Sequence, residues 1–108
     1  MVKVFVKKEN SNIKEILFKG HALYSDYGRD IVCASISSVI NTTVNSIMNI
    51  DSTSIEYNDD GDKITIIKIN SNDIVDKLLD TMINILKDLE KQYKKNIKVE
   101  SEEWKCYI

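Results

Sequence analysis

The sequence predicts a single α+β domain, a two-layer sandwich in which a mostly antiparallel sheet carries two helices on one face in the order ββαββαβ. Three observations lead there. Strand-like stretches with alternating apolar residues are interrupted twice by stretches whose apolar residues recur every third or fourth position. Short polar turns join the strands in pairs. Finally, 108 residues at 43% hydrophobic content suffice for one modest core and not for two.

Each element has its own signal. In the opening "VKVFVKK", Val2, Val4 and Val6 share one strand face, and Lys3, Phe5 and Lys7 the other. "IKEILFKG", from Ile13, is a second strand, and the polar "ENSN" between them suits an antiparallel hairpin. From Asp30 the period lengthens: Val32, Ile36, Val39 or Ile40, Thr43 and Ile47 form one helical face, with Cys33, Ser37, Ile40 and Val44 as the neighbouring stripe. This helix is expected to end near Asn49. "TSIEY" and "KITIIKI" make a second hairpin around "NDDGD", where Gly61 supplies the positive φ of such turns.

The second helix is marked by Val75, Leu79, Met82, Leu86, Leu89 and Tyr93, with Asn72 or Ser71 as N-cap and Asp73 and Asp76 in the first turn. "IKVES", from Ile97, closes the sheet, and a tail carries Trp104 and Cys106. With both helices on one face, Phe5, Leu17 and Tyr57 are expected on the other, where a second copy could cover them. A homodimer is therefore expected.

Composition narrows the function. Fifteen basic residues against 17 acidic ones leave a net charge of −2, and no Lys/Arg-rich face is expected, which argues against RNA as the main ligand, so no direct nucleic-acid requirement is expected. The N-terminus lacks the apolar run of a signal peptide, and no continuous apolar run approaches the roughly 20 residues of a membrane span. The cytoplasm is the expected compartment, where two thiols stay reduced. One histidine and two distant cysteines offer no metal-ligand spacing, so neither metal nor other cofactor is expected.

The segment "GHALYSDYGRDIVCASIS", 20–37, holds that histidine, His21, and one cysteine, Cys33. A thiol attacks as thiolate, so Cys33 as nucleophile needs a stabilising environment. If Asp30 caps the helix, Cys33 sits in the first turn near free backbone N–H groups, which could also form an oxyanion hole. His21 could take the thiol proton and return it to a leaving amine. Gly28 could hinge the intervening loop, and Ser37, one turn beyond Cys33, faces the same side. Each also has an ordinary structural reading, which is the default on spacing alone: a core cysteine, a strand-end histidine, a capping aspartate, a small helix serine and a turn glycine. Residue chemistry alone leaves this open.

The segment nevertheless resembles the ribosomal-processing cysteine protease family, Prp, marked by Gly-His-Ala, a loop ending in Gly-x-Asp-Ile-Val-Cys-Ala, and a serine four residues after the cysteine. Gly20, His21, Ala22, Gly28, Asp30, Ile31, Val32, Cys33, Ala34 and Ser37 stand in the matching places. The resemblance implies a two-layer homodimeric fold, Cys33 as nucleophile and His21 as general base and acid. Gly20, Gly28, Asp30 and Ser37 take supporting roles. The implied substrate is the N-terminal extension of the large-subunit ribosomal protein numbered twenty-seven, cut after a Phe-rich stretch. Ser35 and Ile36 depart from the small residues common there, which implies a narrower groove, and the tail "EEWKCYI" has no counterpart. Tyr24 and Tyr27 are candidates to line the groove. The competing readings are a non-catalytic ribosome-associated binding module, and a redox sensor in which Cys106 resolves Cys33.

Overall fold

The computed structural model describes residues 1–20, 27–70 and 72–104, with residues 27–30 described by backbone alone. The elements run β1 (Val2–Glu9), β2 (Asn12–Lys19), α1 (Tyr27–Ile50), β3 (Ile55–Asp59), β4 (Lys63–Lys68), α2 (Asp73–Gln92) and β5 (Ile97–Trp104). The expected α+β order is therefore the observed one. The sheet order is β3-β4-β2-β1-β5. Three pairings are antiparallel and the fourth, β1 with β5, is parallel, so the sheet is mixed.

Turn chemistry sets the local geometry. Asn10 and Ser11 both take positive φ, 51° and 70°, the pattern of a two-residue hairpin turn whose twist matches the flanking strands. A register shift at Lys7/Lys8 lets Ile13 and Ile16 both face the core despite their odd spacing. In the second hairpin, the Asp60 carboxylate accepts hydrogen bonds from the N–H groups of Asp62 and Lys63, at 2.9 and 2.8 Å. Hydrogen bonding from Lys63 and then Asp62 holds this carboxyl below its usual range. Gly61 follows at φ 90°.

Asn72 is the N-cap of α2, its side-chain oxygen accepting from Ile74 and Val75. Val75, Leu79, Met82, Ile83 and Leu86 then bury one stripe of the helix. From α1, Val32, Ile36, Ile40, Val44 and Ile47 join the same core, together with Val4, Val6, Ile16 and Phe18 of the sheet. Residues 31–50 of α1 form a 20-residue helical stretch of mean hydropathy 1.4, long and apolar enough to cross a membrane by length and composition. That differs from the sequence reading, which looked for unbroken apolar runs. Five of its residues form the buried stripe packed into the core, while Ile31, Met48 and Ile50 of the same stretch are exposed.

Two further expectations need correction. α1 begins at Tyr27, so Asp30 is its fourth residue rather than its cap, and Gly28 lies inside the first turn rather than in a hinge loop. Tyr57 is aligned with Ile66, and that rung points toward the helices. Only Phe5 and Leu17, paired with each other, occupy the open face as expected. A partly buried ion pair ties the layers: the buried Lys68 places its Nζ 2.7 Å from the half-buried Asp76 Oδ1 in the first turn of α2.

Candidate active site

At the end of the sheet where β2 finishes, a cleft of about 260 Å³ opens between α1 and the β3–β4 hairpin. Its walls come from three parts of the chain. Apolar side chains of Val2, Phe18, Ile36, Ile40 and Ile64 form the floor, while Asp59, Asp62 and Lys63 of the hairpin form a charged rim. Gly20, Cys33 and Ser37 line it from the β2 and α1 sides. The cleft thus joins an apolar bed to a thiol, a hydroxyl and a charged rim, a concave mix of apolar lining and a few polar groups of the kind that binds ligands.

Cys33 is a free thiol, half-buried and packed against the core. It is the seventh residue of α1. Its own N–H therefore lies beyond the four unpaired donors of the helix start, and the dipole's benefit, confined to the first turn, is weakened there. The first-turn environment expected from an Asp30 cap is not what Cys33 has. A reactive thiol at this position would depend more heavily on a neighbouring base.

Ser37 lies one helical turn from Cys33 and opens into the same cleft. Four other hydroxyls on the helices bond back to the carbonyl four residues earlier, Ser35 to Ile31, Thr43 to Val39, Ser46 to Thr42 and Thr81 to Lys77, whereas Ser38 and Thr42 make no such bond among the described residues. Ser37 makes no such bond among the described residues, which leaves its hydroxyl available to the sulfur or to a substrate. Of the two departures in the groove, Ile36 lines the cleft. Ser35 bonds to its own helix instead.

Gly20 is held at φ 91°, and a Cβ built there would lie 2.3 Å from the carbonyl oxygen of Met1. Both facts restrict the position to glycine. The next residue is His21, which, with Tyr24, lies outside the described residues, as does Cys106. The side chains of Tyr27 and Asp30 are likewise outside them. The geometry thus brings Cys33, Ser37 and the residue preceding His21 to one cleft. The hairpin rim is the part that sequence reasoning missed. Its turn was legible, but its position follows from the pairing of Lys63 with Lys19, one residue before Gly20. No group of three or more potential metal ligands occurs among the described residues.

Comparison with known proteins identifies relatives of this architecture. The family model described as cysteine protease Prp matches residues 1–98. A ribosomal processing cysteine protease Prp from Staphylococcus aureus is 33% identical over 94 residues, covering 84% of this chain and 89% of the relative. A crystal structure of the S. aureus protease in complex with a covalently linked product peptide superposes with a TM-score of 0.85 at 31% identity, covering 94% of this chain and 100% of that one. A second, with a substrate peptide, has a TM-score of 0.86 at 28% identity, with the same coverage. A Streptococcus mutans protein, SMU.848, at 20% identity and a TM-score of 0.87, shares the fold over 96% of each chain.

Proposed function

The chain belongs to the cysteine protease Prp family and is a cysteine protease, and on that premise we propose that Cys33 and His21 form its catalytic dyad. Cys33 Sγ attacks the scissile carbonyl as His21 takes the thiol proton. The tetrahedral adduct collapses to a thioester, and His21 returns the proton to the departing amine. Water activated by the same imidazole then releases the new carboxylate. Ser37 supports this by a hydrogen bond at the cleft, Gly20 by directing His21 out of β2, and Gly28 and Asp30 by shaping the first turn of α1.

The substrate on this reading is the N-terminal extension of the large-subunit ribosomal protein numbered twenty-seven. Cleavage after a Phe-rich stretch serves ribosome maturation in the cytoplasm, and two copies of the chain associate. The observation that carries the reading is the shared cleft of Cys33, Ser37 and Gly20 over an apolar floor, which suits aromatic side chains. The S. aureus relative's complexes with substrate and product peptides support a peptide ligand. Family membership also sets aside the non-catalytic module.

The test is incubation with a peptide spanning the extension and junction of that ribosomal protein, read by mass spectrometry. The wild type is expected to make one cut, and Cys33→Ala and His21→Ala none. A cut made by Cys33→Ala would overturn the assignment of the nucleophile. Sedimentation of the wild type is expected to give twice the chain mass, and a monomer at micromolar concentration would refute the dimer.

A further inference from the structure

The open face of the sheet carries a feature that strand pairing alone creates. Lys3 pairs with Lys98 on one side and Lys19 on the other, and Lys19 pairs with Lys63. Four lysines therefore lie side by side across β5, β1, β2 and β4. Adjacent strands are about 4.8 Å apart, so the rung spans about 14 Å. Like charges directly opposite one another destabilise a sheet. All four are exposed. Only Lys98 has an ion-pair partner among the described residues, Glu100 at 3.2 Å. The other three face each other unneutralised.

The next rung on this face brings Glu100, Phe5 and Leu17 together, Phe5 and Leu17 both half-buried, with Phe5 two residues beyond Lys3 and the Glu100 carboxylate turned to Lys98. The result is a basic rung beside an aromatic side chain on an uncovered sheet face. Single-stranded nucleic acid is bound by such a surface, its phosphates tracking the cations while a base stacks on the ring. A second copy suits it less, because lysines are depleted from protein interfaces, so the association of two copies proposed above is assigned to another surface and not, as expected from the sequence, to the face of Phe5 and Leu17.

We propose that the rung Lys98–Lys3–Lys19–Lys63, with Phe5, is a docking surface for single-stranded RNA. Lys63 belongs both to the rung and to the rim of the Cys33 cleft, so docked RNA would flank the peptide being cut. The surface stands on its own geometry. Only the choice of RNA over single-stranded DNA rests on the ribosomal substrate proposed above.

The test is fluorescence anisotropy of a labelled 20-nucleotide uridine RNA with the full chain between 25 and 200 mM salt, without peptide. Four neutralised phosphates predict a slope of log affinity against log salt of about −3. Lys3→Glu is expected to weaken binding at least tenfold at 50 mM salt and to make the slope shallower. It should not lower the melting temperature, because the introduced carboxylate would lie between Lys98 and Lys19. Lys77→Glu, on exposed α2, makes the same change in net charge and is expected to bind like the wild type. No binding by the wild type, unchanged binding by Lys3→Glu, or equal loss in Lys77→Glu would each overturn the proposal. Tighter binding to vesicles rich in phosphatidylserine than to RNA would assign the rung to a membrane surface. A dimer that Lys3→Glu dissociates, with no RNA bound, would assign it to a second copy. Peptide cleavage is scored separately, so either function can fail without the other.

Discussion

Replacing Gly20 with alanine makes two demands on the backbone that glycine avoids. At φ 91° an L-residue is strained, by about 1–2 kcal/mol. The added methyl would also sit 2.3 Å from Met1 O, where contacts under 3.0 Å are essentially never tolerated. The start of β1 and the end of β2 must therefore separate by about 0.7 Å, and both are backbone, which cannot rotate away. The combined penalty is about 2–3 kcal/mol, which for a domain of this size lowers the melting temperature by roughly 10–20 °C. On the proposed dyad the same displacement reaches the neighbouring His21. A shift approaching 1 Å at a reacting group costs up to about 10²-fold in rate, so kcat should fall between about 10- and 100-fold while KM changes little. Thermal melts and peptide cleavage at a temperature where both proteins are folded separate the two effects. A melting temperature within about 2 °C of the wild type would refute the steric reasoning. Destabilisation with an undiminished kcat would refute the link to His21.

On the same proposal, brief iodoacetamide treatment should label Cys33 before Cys106, and product peptide should protect it, as peptide mapping would show; the reverse order would speak against an activated thiol in the cleft. Asp76→Ala strands the buried Lys68 ammonium and should cost about 3 kcal/mol in urea unfolding. Lys68→Met with Asp76→Leu should be nearly neutral, because removing both charges also removes their desolvation cost. Asp60, whose carboxyl is held low by the Lys63 and Asp62 N–H groups, stabilises the hairpin above the ordinary aspartate range. That contribution is lost as pH falls through the lowered value. Amide exchange at Asp62 and Lys63 should therefore show weaker protection in strong acid than at pH 6, relative to intrinsic rates, and Asp60→Ala should abolish the difference.

Local pattern made much of the fold legible. The alternation of Val2, Val4 and Val6 needs only period two, and Asn72 followed by Asp73 and Asp76 identifies a helix start from adjacent residues. Tyr57 could have been placed correctly, because buried Ile55 lies two residues away on the same face. The start of α1 could not, because Asp30 is a good cap residue and nothing local says that the helix begins four residues earlier than such a cap would have it. The lysine rung was beyond sequence reading altogether. Its members are separated by up to 95 positions, between Lys3 and Lys98, and come together only through pairing. For the candidate site, the Cys33–Ser37 spacing was legible from the helix period, whereas the hairpin rim depends on β4 lying beside β2.

The pairing of β1 with β5 joins one of the first strands made to the last. Val2 is aligned with Ile97, 95 residues later, and at cellular elongation rates that interval lasts roughly 5–20 s. During synthesis one edge of β1 waits without its partner, and the outward lysines Lys3 and Lys7 discourage another chain from joining it. A nascent chain cannot complete its sheet until β5 has left the ribosome. The five-stranded sheet is thus the last feature of the domain to be completed, closed only when its translation is essentially over.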